Sequence, residues 1–296
     1  METLKNAFIG KYPKNGILVE KWLLATGTPF EWGSLSKANM NRFADWLCTN
    51  IAQSSARQYC AKLKAVIETY SDEVKMPKDW RKALTIKDDE SQNVYLTETE
   101  IQRIIDYKPD SMTEAIVQQQ FILGCLTGAR HSDYSRFTEA NINSIGNLVY
   151  VSQKTHTKAE LPLSPVVREI LFATGRTFAG AYKKEVCDTT FNTTIRHICN
   201  MCDINEEVTL YRRGSFTKMK KYEAVSSHTS RRSFCTNLYL RCRDLFLVSK
   251  LAGHSSTTMT ERYICCSTEA LTLSAKEYFT AFNYRKNFNY TKQTIF

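Results

Sequence analysis

Apolar positions in the first ninety residues recur at helical intervals. Between Ser34 and Ile51, Met40, Phe43 and Leu47 fall on one helical face. Between Ser54 and Val74, Tyr59, Leu63, Val66 and Tyr70 form a second stripe at i, i+4, i+7 and i+11. Pro29 and Pro77 punctuate the pattern, because proline lacks the amide a helix interior needs. The first helix is expected only after about 15 residues. The polar, charged stretch LTIKDDESQNVY at 84–95 then interrupts the periodicity. These shifts predict a helical domain over 1–86, a linker over 87–95 and a larger domain over 96–296.

The larger domain opens with LTETEIQRII, where Thr97 and Glu100 have the spacing of a capping box. A long apolar pattern through EAIVQQQFILGCLTG ends at Gly128. Next, LVYVSQK (148–154) and KAELPL (158–163) flank a short polar break and predict an antiparallel hairpin with Lys154 at its tip. From Pro165 the pattern is helical again, with a second hairpin expected around Gly214. The chain shows neither repeats nor low-complexity tracts. The expected class is mainly α with a small antiparallel β-sheet, α+β.

Composition narrows the function classes. With 43% hydrophobic and 24% charged residues, the chain is expected to build real cores rather than remain disordered. No run approaches the roughly 18 apolar residues of a membrane span, and METLKNAFIGKYPKNG has no signal-peptide pattern. A cytoplasmic protein with no membrane partner is the expectation. The net charge is +10, and Val208–Tyr222 carries Arg212, Arg213, Lys218, Lys220 and Lys221 without an acid. Such an excess favours a polyanion, since each neutralised phosphate releases counterions. The ten cysteines are scattered and read as free thiols. Cys199 and Cys202, with His197 nearby, have no second ligand pair at zinc spacing. They also lie in FNTTIRHICNMCDI, whose Phe191, Ile195, Ile198 and Cys202 have core spacing, so a packing role is preferred to a metal.

Four separated segments hold the candidate chemistry. TGARHSD carries Arg130 and Asp133, and the hairpin tip QKT carries Lys154. HTSRRSFCT sets His228 and Arg231 three apart on one helical face. GHSSTTMTERY carries His254 and, nine positions later, Tyr263. Taken alone, each segment has a bland reading: Arg130 as a helix C-terminal cation, Lys154 or Lys158 as a solvated charge. In this order and register, they resemble the tyrosine recombinase (phage integrase) family. Its pattern is an Arg after TG, a hairpin Lys, H-x-x-R, a G-H box and a Tyr nine residues beyond that histidine. The helical first part, with NRFADWL and ARQYCAKLKAVIETY, is similar to the family's core-DNA-binding domain.

The resemblance implies a site-specific DNA recombinase. Tyr263 would attack the scissile phosphodiester to form a 3′-phosphotyrosyl link, followed by strand exchange through a Holliday junction and religation. No metal, nucleotide or other cofactor is implied. Arg130 and Arg231 would clamp the phosphate, since guanidinium forks bind two oxygens at once and stay charged. His228 would act as general acid/base, His254 as a second phosphate donor and Lys154 as the acid for the 5′-oxygen. Asp133, where glutamate is commoner, would orient Arg130 or His228. Arg57, Arg212, Arg213, Lys218 and Arg232 are candidate DNA contacts; Arg232 would point about 100° away from Arg231 on a helix. Ser230 and Ala252 stand where the family prefers leucine and read as packing changes. The implied partners are double-stranded DNA with specific core sites, a homotetramer on paired sites and accessory DNA-bending proteins, in a bacterial or phage setting near the nucleoid. Leu271, Leu273, Tyr278 and Phe279 are a candidate helix for docking on a neighbouring subunit. No additional arm-binding domain is expected. The competing classes are a type IB-like topoisomerase or nicking enzyme, and a catalytically silent DNA-binding protein.

Overall fold

The chain begins its first helix at Leu4, well before the periodicity predicts one. Thr3 caps it by accepting from the Asn6 amide, and Leu4, Ala7 and Phe8 are buried at i, i+3 and i+4. The stripe is too short to stand out from a mixed sequence, yet it is enough once a core receives it. The computed structural model describes residues 2–87, 92–212, 215–265, 272 and 276. The proposed docking residues Leu271, Leu273, Tyr278 and Phe279 lie outside them, as does Arg213.

The protein divides into two compact units, residues 1–92 with 210–217, and residues 93–209 with 218–296. In the first, α1 (Leu4–Lys11), α2 (Gly16–Thr26), α3 (Lys37–Asn50), α4 (Gln53–Thr69) and the short α5 (Trp80–Ala83) surround an aromatic core. Trp22 and Phe43 meet edge to face with centroids 5.2 Å apart. Met40, Phe43 and Leu47 are buried as the α3 pattern predicts. On α4 the buried stripe is Ala56, Cys60, Leu63, Val66 and Ile67, with Tyr59 and Tyr70 only partly buried beside it. That helix stops at Thr69 rather than Val74. Asp72 and Glu73 follow it, where a helix dipole disfavours anions.

The second unit is built round α7 (Met112–Thr127), which is buried on nearly every side. Against it pack α6 (Glu98–Asp106), the short α8 (His131–Tyr134), α9 (Pro165–Phe172), α10 (Asp188–Met201) and α12 (Ser227–Cys242). Two strand pairs supply the sheet content of the described residues. One joins β1 (Asn147–Val151) to β2 (Lys158–Pro162), with Tyr150 opposite Ala159. The other joins β3 (Glu207–Arg212) to β4 (Ser215–Lys220), of which residues 210–217 belong to the first unit. The chain then runs through α11 (Lys221–Ala224), α13 (Leu245–Leu251) and α14 (Thr257–Glu261).

Two features lock this unit. The Thr97–Glu100 capping box forms, and Glu100 also receives the buried Lys221 ammonium at 2.8 Å. Lys221 therefore turns inward, away from the basic run to which it belongs in sequence. At Gly124 a Cβ would stand 2.3 Å from the Ser230 hydroxyl. The small pair lets α7 and α12 approach closely. Cys199 is fully buried and Cys202 nearly so, and the Cys202 thiol faces the Arg103 carbonyl. Among the described residues the cysteines are free thiols. No helix among them is long and apolar enough to cross a membrane.

Candidate active site

Helix α7 ends at Gly128, whose φ of +65° is the left-handed cap that glycine adopts at no steric cost. A side chain there would also strike the Phe234 ring. The turn delivers Arg130 to the start of α8, where its Nη1 donates to the Ser152 hydroxyl at 2.7 Å. Ser152 is buried just past β1. On α8, buried Asp133 accepts from the Gln153 amide at 3.0 Å. Two residues of TGARHSD thus grip the two residues before Lys154. Asp133 is expected to orient Arg130 or His228. Its bonded oxygen holds the hairpin turn, and its influence on Arg130 is electrostatic. Lys154 itself is exposed on the turn between β1 and β2.

His228 and Arg231 lie one turn apart near the start of α12. Arg231 is only 2% exposed, yet it carries a permanent charge. Its Nη1 donates to the Gly128 carbonyl, tying α12 to the end of α7. His228 is exposed, and its pKa is lowered by partial desolvation and then by Arg232, Arg231 and Lys154. A neutral imidazole at pH 7 follows.

The last segment folds back on itself. Gly253 has φ of +63°, and a Cβ there would press the Ala159 methyl at 3.3 Å. The turn buries His254, whose Nδ1 pairs with Thr260 Oγ1 at 2.9 Å. Ser256 caps α14, and the chain leaving α14 lays the Tyr263 ring on the His254 ring, with centroids 4.9 Å apart and planes 27° apart. Burial first, then Arg231 and Arg130, push the His254 pKa down to about 3. The guanidinium carbons of Arg231 and Arg232 each lie 5.3 Å from the Tyr263 centroid. Arg232, expected to point away toward DNA or solvent, instead donates to the Arg262 carbonyl at 2.7 Å. The segment after α14 passes over it, a fold-back that helical geometry alone does not reveal.

The structure therefore gathers Arg130, Asp133, His228, Arg231, His254 and Tyr263, with Lys154 on the adjoining turn. It does not gather every candidate DNA contact. Arg57 lies on α4 and Arg212 at the end of β3, both in the first unit, and Lys218 is exposed on β4. Sequence reasoning missed Tyr150, Ser152 and Thr260. Only Tyr150 left a signal, as an inward position in the alternation of β1.

These buried polar atoms are unusual in one respect. Arg231 Nε and Nη2, His254 Nε2, the Tyr150 hydroxyl and Asp133 Oδ2 have no hydrogen-bond partner among the described residues. Burial and the nearby Arg231 also lower the Arg130 pKa. Two crowded guanidiniums and several unspent donors suit an anion that presents multiple oxygens.

Comparison with known proteins decides the family. The model of the phage integrase family matches residues 94–269, more than half of the chain. The chain belongs to the phage integrase family. It is accordingly a tyrosine-type site-specific recombinase. No curated protein sequence matches this recombinase closely enough to count. Solved structures share its fold at low identity. The Tn1549 transposon integrase in complex with transposon right-end DNA is 13% identical, with a TM-score of 0.61, over 94% of this chain and 100% of that one. The XerH recombinase in a post-cleavage complex with a palindromic difH substrate is 13% identical, with a TM-score of 0.61, over 93% and 79% of the two chains. The lambda integrase tetramer bound to a Holliday junction is 16% identical, with a TM-score of 0.59, over 89% and 77%.

Proposed function

We propose that this recombinase cleaves and rejoins DNA through Tyr263. The observation that carries the proposal is the set of buried, unpartnered nitrogens of Arg231 and His254 beside the Tyr263 ring. A phosphodiester satisfies them. Arg130 and Arg231 hold its non-bridging oxygens and stabilise the charge that develops as the phosphorus is attacked. His254 pairs with Thr260 Oγ1 through Nδ1 and keeps Nε2 free to meet the same phosphate.

In the chemical step the Tyr263 oxygen bonds to phosphorus and the bond to the 5′-oxygen breaks. His228, kept neutral by its cationic neighbours, accepts the tyrosine proton. Lys154 gives a proton to the departing 5′-oxygen. Asp133 positions that lysine by fixing the preceding amide. The phosphotyrosyl bond conserves the energy of the broken linkage, so a second 5′-hydroxyl can attack it and restore the backbone. Exchange between two duplexes proceeds through a Holliday junction in a homotetramer on paired core sites. The lambda integrase tetramer on such a junction, which shares the fold, supports this assembly. The smaller helical unit, with Arg57, serves as the core-DNA-binding domain, and Arg212, Arg213 and Lys218 add phosphate contacts.

Tyr263→Phe tests the proposal on a nicked duplex that traps the covalent intermediate. The variant should bind this DNA as the wild type does and form no protein–DNA adduct. An adduct undiminished in Tyr263→Phe would overturn the assignment. Supplying two labelled duplexes in the same assay separates recombination, which joins strands between them, from relaxation or nicking, which does not.

A further inference from the structure

Two consecutive arginines converge on one aromatic ring, although adjacent helical positions diverge by about 100°. The convergence comes from the segment that follows α14. Arg232 Nη1 donates to the Arg262 carbonyl at 2.7 Å. One turn further along α12, the Thr236 hydroxyl donates to the Tyr263 carbonyl at 3.3 Å and accepts from the Cys265 amide at 3.0 Å. Arg232 and Thr236 are four residues apart, so one face of α12 holds the backbone on both sides of Tyr263. The Arg232 guanidinium also stands over the ring, as close as that of Arg231.

We propose that Arg232 is a positioning residue for Tyr263, tethering its backbone through the Arg262 carbonyl and placing a second cation over its ring. This rests on the assignment of Tyr263 as nucleophile and extends it to the residue that presents the nucleophile. The Arg232 charge is also among those that lower the His228 pKa, so it helps keep neutral the base that takes the tyrosine proton. Arg231, committed to Gly128 and to the phosphate, cannot hold the backbone as well. Arg232 therefore serves the chemical step rather than DNA affinity.

The test measures single-turnover adduct formation on the nicked duplex from about pH 6 to 9, alongside the equilibrium affinity for the same DNA. Wild type, Arg232→Ala and Arg232→Lys are compared. In Arg232→Ala the adduct should form about tenfold more slowly or worse, with affinity within about twofold, and the pH–rate profile should move to higher pH as His228 loses a cation that lowers its pKa. Arg232→Lys restores the charge without the planar fork, so it should recover the pH profile more than the rate. Wild-type rates in Arg232→Ala overturn the proposal. So does a loss that tracks weaker DNA binding, which would make Arg232 a backbone contact. A slower rate with an unmoved pH profile also overturns it, leaving a merely structural tether. If the wild type forms no adduct at Tyr263, the assignment of the nucleophile fails first, and the Tyr263→Phe comparison reports that separately.

Discussion

Arg231 and Lys221 are both buried cations in the same unit, but their surroundings differ. Lys221 is 7% exposed and meets the Glu100 carboxylate at 2.8 Å, with Glu206 at 3.9 Å. Arg231 is 2% exposed, spends one nitrogen on a carbonyl, and leaves Nε and Nη2 without a partner among the described residues. Burying a charge is costly unless it is paired. The first cation meets that condition within the fold, joining α11 to the cap of α6. The second does not, and no acid of the described residues forms an ion pair with it. A buried cation satisfied by the chain holds structure; one left unsatisfied is set for a ligand.

Substitution at each cation sharpens the contrast. Arg231→Met should slow adduct formation by about a thousandfold or more, the scale of losing a phosphate-clamping arginine. Thermal unfolding of the same variant should change far less than that of Lys221→Met. A large loss of stability in Arg231→Met would erase the distinction.

Lys221→Met strands Glu100 in the core and should cost about 3–5 kcal/mol, read from chemical denaturation. Glu100→Leu in the same chain should restore only part of that loss: an apolar pair needs no ionic partner, but the change also gives up the Thr97 capping bond. Adduct formation per folded molecule should be unchanged in the double variant.

A further effect, felt only in acid, concerns His254. Its pKa in the fold is about 3, below the ordinary histidine value, so the unfolded chain binds the extra proton first. Stability should therefore fall as pH drops from about 6.5 toward 3, by up to about 1.4 kcal/mol per pH unit. His254→Gln should flatten that part of the pH–stability curve. An unchanged slope would show that other groups dominate it.

The sequence carried much of this before any folding. The Thr97–Glu100 cap, the α7 terminus at Gly128 and the Lys154 hairpin were legible because each depends on a few neighbouring residues. The catalytic candidates were legible for a different reason, since their spacing matched a family whose members share one chemistry. Other parts were not. The helix at Leu4 was hidden because a stripe of three residues is weak evidence without the core that buries it. That Asp133 also accepts from the Gln153 amide, across the fold from its own segment, left no trace in the pattern. Arg232 was sent outward by helical geometry, and only the chain returning after α14 brought Tyr263 over it.

Local pattern thus determined the elements, the class and the residues worth suspecting, because hydrogen bonding and periodicity within a helix or hairpin reach only a few positions. Tertiary structure decided which charges are spent and which are kept. Lys221 and Arg231 look alike along the chain, and packing alone gives one a carboxylate and leaves the other its free donors.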